Sequence, residues 1–108
     1  MTELNVRHPG ATAVLAGNDL VALGCYDYLT AHGLACPDDL SVIGFNDMQF
    51  MDKMRPGLTT VALPQYEIGA TAARLLLERI RQPATPPRQV VLPVTLMVRG
   101  STAAPRSR

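Results

Sequence analysis

The 108 residues suffice for one domain and fall short of two ordinary ones, and 47% apolar with 18% charged residues suits a folded chain rather than a disordered one. A net charge of +1, with the basic residues scattered, leaves no electrostatic footprint for nucleic acid or an anionic membrane. No apolar run approaches the roughly 20 residues of a membrane helix, and the opening MTELNVRHPG lacks the apolar core of a signal peptide, so a cytoplasmic location is expected.

After a leader of residues 1–11, residues 12–17 (TAVLAG) read as a short buried strand ending at Gly17. A helix follows, capped by Asn18 or Asp19 and stopped by Gly33 as the left-handed residue beyond its end. Val21, Cys25, Tyr28 and His32 share its inward stripe with Leu29 beside them, and Leu20, Leu23 and Gly24 lie on a neighbouring one. Cys25 reads as a small core residue; it and Cys36 form no CxxC and are expected to be reduced. Residues 40–45 (LSVIGF) form a second buried strand, and Asn46-Asp47 lead into a short helical turn closed by Pro56-Gly57.

Residues 58–63 (LTTVAL) are rich in the β-branched side chains that pack well on a pleated surface. A helix from Pro64 to about Arg81 then turns Ile68, Ala72, Leu75, Leu76 and Ile80 inward, with Arg74–Glu78 and Glu78–Arg81 at ion-pair spacing. Residues 89–98 (QVVLPVTLMV) are strand-like, but Pro93 cannot donate to a ladder, so this strand lies at an edge or carries a break. Residues 103–108 read as a tail, and GSTAAPRSR as a whole is expected to fray.

Strands alternating with helices predict an α/β fold with a largely parallel sheet and right-handed crossovers. In such sheets ligands bind outside the carboxyl ends of the strands, and two strands here deliver the same pair there: Asn18-Asp19 and Asn46-Asp47. An amide that both donates and accepts beside an acceptor-only carboxylate can match the hydroxyls of a polar small molecule. The local alternative is that Asn and Asp serve as caps and turn formers. That alternative is the stronger for Asp19 and Asp47, whereas Asn18 and Asn46, each the first polar residue off a strand, favour binding.

Other chemistries find little support. Neither G-x-G-x-x-G nor G-x-x-x-x-G-K-[ST] is present, and an acid at each helix start would repel phosphate. His8 and His32 lie away from the strand ends, and H-E-x-x-H, G-x-S-x-G and metal-spaced Cys/His sets are absent, so no catalytic residues, metal ligands or cofactors are assigned. Asp47, Asp52 and Lys53 read better as a solvated charged turn than as an acid–base set. Phe45, Phe50 and Tyr66 read as packing residues rather than stacking platforms.

Four ordered blocks, TAVLAGNDLVALG, CPDDLSVIGFND, RPGLTTVALPQYEIGATAARLLLERI and VVLPVTLMVRGST, resemble the carboxyl-terminal part of the effector-binding domain of LacI-type transcriptional regulators, over residues 12–102. The resemblance implies a Rossmann-like, periplasmic-binding-protein-like fold, of which this chain would hold one incomplete subdomain. It implies effector contacts at Asn18 and Asn46, with Asp47 beside them. The Asn46 position is often Asp in that family, and Leu63 stands where a Gln usually supplies a third contact. It further implies a homodimer face on the helix after Asn18-Asp19 and on the segment before LTT, at Leu20, Leu23, Met51 and Met54.

The resulting expectation is a non-enzymatic chain that senses a sugar-like effector and dimerises within a LacI-type regulator. DNA would be reached only through a helix-turn-helix head that these residues do not contain. The rival readings are a standalone dimerisation or small-molecule-binding half-domain and a small doubly wound enzyme. Surfaces that the intact family buries are expected to be covered by self-association.

Overall fold

The computed structural model describes residues 1–106. Its elements in chain order are α1 (Thr2–Arg7), β1 (Ala13–Leu15), α2 (Asp19–Ala31), β2 (Ser41–Asn46), a 3-10 turn (Met51–Lys53), β3 (Thr59–Ala62), α3 (Gln65–Arg81) and β4 (Thr95–Met97). The strands form one sheet in the order β1-β2-β3-β4, and β2 runs parallel to both β1 and β3. The α/β class predicted from the alternation is therefore the class observed. Register is set by pairs such as Val14 with Val42 and Gly44 with Thr60.

The chain divides into two compact units. The first holds Met1–Ala62 and the segment from Leu96 onward. Its core is Ala16, Ala22, Cys25, Leu29, Leu40, Val42, Met51 and Leu58, with α2 laid against β2. The inward stripe of α2 is Asp19, Ala22, Cys25 and Leu29 rather than the predicted Val21, Cys25, Tyr28 and His32. Val21 is half exposed, and His32 closes the helix as its C-cap, ahead of Gly33 at φ 65°. Periodicity weighted by side-chain size picked Val21, whereas close packing against the sheet selected the small Ala22 and a carboxylate. Both cysteines are free thiols and Cys25 is buried, as expected.

The second unit is Leu63–Thr95. Its helix α3 matches the predicted span, but none of its described residues is buried, so the stripe predicted to face inward does not do so. Leu76 and Ile80 stay largely exposed, while Ile68 and Leu75 join Val90, Leu92 and Val94 around a groove of about 330 Å3. Glu78 pairs with Arg88 at 2.6 Å instead of the intrahelical partners its spacing suggested. The predicted strand over 89–98 shrinks to Thr95–Met97, because Pro93 interrupts the donors that a longer ladder needs.

The segment expected to fray is structural over its first residues. Ser101 is fully buried, its hydroxyl donating to the Val42 carbonyl (2.6 Å) and accepting from Thr59 N–H (2.8 Å), while its carbonyl accepts from Val42 N–H (2.9 Å). Ala103 N–H donates to Ser41 Oγ, and Arg106 pairs with Asp39 at 3.1 Å. A buried strand end leaves backbone groups that must be satisfied, and this segment satisfies them. Residues 107–108 of the expected tail lie outside the described residues. Among the described residues no helix is long and apolar enough to cross a membrane.

Candidate functional site

The carboxyl ends of β1, β2 and β3 converge through one hydrogen-bond network. Leaving β1, Asn18 is extended (φ −159°) and its Oδ1 accepts from Val21 N–H at 2.9 Å, which makes it the N-cap of α2. The cap uses the side-chain oxygen, so the amide nitrogen is the group this role leaves for a ligand. Asn18 itself is exposed.

Asp19 turns the other way and is fully buried. Its carboxylate accepts from Thr60 Oγ1 on β3 and from the backbone N–H of Met48 beyond β2, each at 2.6 Å. The Thr60 hydroxyl in turn accepts from Asp47 N–H at 3.3 Å. Room for the carboxylate comes from Gly44, where a Cβ would collide with Asp19 Oδ1 and stand 2.8 Å from Leu58 Cδ2.

From the last residue of β2 onward the backbone has positive φ at three non-glycine residues: Asn46 (φ 115°), Asp47 (φ 52°) and Phe50 (φ 74°). Asn and Asp tolerate this region better than other side-chain-bearing residues, but it still costs on the order of 1–3 kcal/mol and persists only where the surroundings hold it. The Asp47 carboxylate meets Arg99 Nη1 at 2.8 Å, in a pair shielded from most solvent, and the same guanidinium nitrogen donates to the Leu58 carbonyl at 3.0 Å. The Asp47 hydrogen bond raises the Arg99 pKa, against desolvation, which lowers it.

The structure thus joins Asn18, through its neighbour Asp19, to the turn bearing Asn46 and Asp47. Asp47 shares its charge with Arg99, which the sequence showed only as one more scattered base. Thr60 and Ser101 also went unread: two threonines in LTTV look like strand formers, and their hydroxyl contacts depend on which strands become neighbours. Of the residues expected at a dimer face, Leu20 is 57% exposed, Leu23 and Met54 are partly buried, and Met51 is in the core at 7%. Met51 is drawn inward because the 3-10 turn folds over the sheet, its N–H bonding Met48 O and its carbonyl accepting from Leu58 N–H.

Residues 1–102 match the family described as periplasmic binding protein-like domain. The chain belongs to that family. Among curated relatives of this periplasmic binding protein-like chain is the ribose operon repressor of Escherichia coli (strain K12), 40% identical over 89 residues, or 82% of this chain and 27% of the repressor. Among solved structures, a LacI family transcriptional regulator from Enterococcus faecium with bound ribose has a TM-score of 0.79 at 38% identity, covering 94% of this chain and 38% of that one. The transcriptional regulator CelR–cellobiose complex has a TM-score of 0.84 at 38% identity, covering 93% of this chain and 31% of that one. The LacI-type resemblance stated from the sequence blocks is therefore carried by relatives of that kind, and the chain spans part of an effector-binding domain. It covers 27% of the length of the curated relatives it matches.

Proposed function

We propose that this chain is a sugar-contacting part of a LacI-type transcriptional regulator, and that it has no catalytic role. Residues 12–102 form its effector-binding portion, with Asn18, Asn46 and Asp47 addressing ligand hydroxyls. The observation that carries the reading is the polar rim at the strand ends, where hydrogen bonds tie the start of α2 to β3 and to the turn after β2. The donor of Asn18 and the acceptor character of Asp47 suit a hydroxyl that both gives and receives. Bound ribose in a relative 38% identical supports a pentose-like effector.

Leu20, Leu23 and Met54 form the accessible part of a homodimer face, and Met51 lies in the core. DNA is contacted by a separate head domain of the whole regulator, which acts in the cytoplasm. Effector binding would alter dimer geometry and with it the spacing of the DNA-contacting parts.

The test is calorimetric titration of D-ribose into the chain and into Asn18→Asp, which keeps an oxygen for the Val21 cap but loses the amide donors. At least a tenfold loss of affinity with an unchanged melting temperature is expected. Equal affinity for both would overturn the assignment of Asn18, and absence of ribose binding by the unsubstituted chain would overturn the pentose reading.

A further inference from the structure

Asp19 is the one fully buried carboxylate among the described residues, although it opens a helix, where acids are ordinarily solvated. Capping does not account for it, since Asn18 supplies the cap. A buried carboxylate is costly unless its oxygens are hydrogen-bonded. Here both are, and both bonds leave the helix: one reaches Thr60 on β3 and the other the Met48 amide beyond β2. Because Thr60 Oγ1 also accepts from Asp47 N–H, the network rooted at Asp19 holds two consecutive backbone amides, those of Asp47 and Met48. These amides lie on either side of Asp47 (φ 52°) and directly after Asn46 (φ 115°). A chain released from such contacts relaxes toward negative φ. The Asp47–Arg99 pair fixes a side chain and does not supply this backbone restraint.

We propose that Asp19 is a positioning residue: it holds the Asn46-Asp47 turn left-handed and thereby sets the direction in which those two side chains meet a ligand. The backbone half of this statement stands on the hydrogen bonds alone; the ligand half rests on the function proposed above. The carboxylate of the pair Asn18-Asp19, expected to serve as a cap or turn former, then has a task distinct from that of its neighbour. Asn18 faces solvent and ligand, and Asp19 faces inward and aims the opposite side of the rim.

The experiment is solution NMR on the full chain and on Asp19→Asn, whose amide keeps one acceptor but turns an N–H2 toward one of the two donors. The φ angles of Asn46 and Asp47 are read from three-bond HN–Hα couplings and residual dipolar couplings, and hydrogen exchange is read at the Met48 amide. In Asp19→Asn both residues are expected to leave positive φ, and Met48 exchange to accelerate at least tenfold over that of the β2 amides. Retention of positive φ at both residues, with Met48 exchange changing no more than the sheet, would overturn the proposal. Thr60→Val deletes the relay hydroxyl at similar volume and is expected to free the Asp47 amide in the same way, whereas Thr60→Ser keeps the native turn. If Thr60→Val leaves both φ values native, the proposal also fails, which keeps it decidable should Asp19→Asn not fold. D-Ribose titration of the same samples separates the two ideas. Loss of the turn with at least tenfold weaker ribose binding supports both, and loss of the turn in a chain that never binds ribose sinks the pentose reading while leaving the positioning role in place.

Discussion

Replacing Ser101 by Ala tests whether the segment after β4 is part of the fold. The hydroxyl is the acceptor for the Thr59 N–H at 2.8 Å and the donor to the Val42 carbonyl at 2.6 Å, in a place from which water is excluded. Removing one partner of a buried hydrogen bond costs about 1–3 kcal/mol, because the remaining group keeps its desolvation penalty. Two groups lose a partner here, so about 2–4 kcal/mol is expected after some local relaxation. At about 4–8 °C per kcal/mol for a domain near this size, the melting temperature should fall by roughly 10–30 °C. Urea unfolding followed by far-ultraviolet circular dichroism gives the free energy directly, and an unchanged slope would show that the loss lies in stability rather than in the compactness of either state. A change below about 0.5 kcal/mol, the size of an ordinary surface substitution, would refute a structural role for this segment and return residues 100–103 to a frayed end.

Gly44→Ala should destabilise the chain by about 1–3 kcal/mol through overpacking, since the new methyl meets Asp19 Oδ1 and Leu58 Cδ2, and calorimetry showing no loss would mean the carboxylate moves freely. Burial, reinforced by the nearby Cys36, pushes the Tyr26 phenol from 10.0 up to about 12, and burial raises both thiols above 9.0. The folded state thus holds these protons more tightly than the unfolded one. Their contribution is fully present below pH 9 and should be lost as pH rises towards 12, with Tyr26→Phe flattening the decline between 10 and 12; a native tyrosinate absorbance midpoint for Tyr26 near 10 would contradict this. Finally, α3 leaves Ile68, Leu76, Leu77 and Ile80 exposed and α2 leaves Leu20 and Val21 exposed, so sedimentation equilibrium should find self-association, and Leu20→Glu should weaken it if α2 forms the face.

The sheet was legible in the sequence because its signals are local. Short apolar runs ending at Gly17 and Asn46 marked β1 and β2, the β-branched residues of LTTVAL marked β3, and Gly33 marked the end of α2. What failed was the choice of faces. The α2 stripe was misread by one residue because an acid occupied an inward position, and inward acids are excluded by any rule that equates burial with apolarity. The α3 stripe was read correctly as apolar, but amphipathicity records a tendency to be covered and does not guarantee a cover among these residues. The tail was misread because GSTAAP carries every composition mark of a loop, and its hydrogen bonds go to Ser41, Val42 and Thr59, about 40–60 positions earlier in the chain.

The candidate site shows the same division between local and distant information. Two Asn-Asp pairs at two strand ends could be seen at once, as could their position at the carboxyl ends of a parallel sheet. The pairs do not repeat one arrangement, however. In the first the amide caps a helix and the acid is internal; in the second both residues are left-handed and the acid meets Arg99. Identical dipeptides take different roles because their second residues meet different partners: Thr60 and Met48 N–H for Asp19, a guanidinium for Asp47. Those partners lie between 29 and 52 residues away, a separation at which a single sequence holds no pairing signal. The inward turn of Asp19 also explains Gly44, whose missing Cβ is the counterpart of a carboxylate placed against the middle of a strand. A glycine in a buried strand and an acid at a helix start are each unremarkable alone, and their conjunction across adjacent elements is the sequence mark that a rim of this construction leaves.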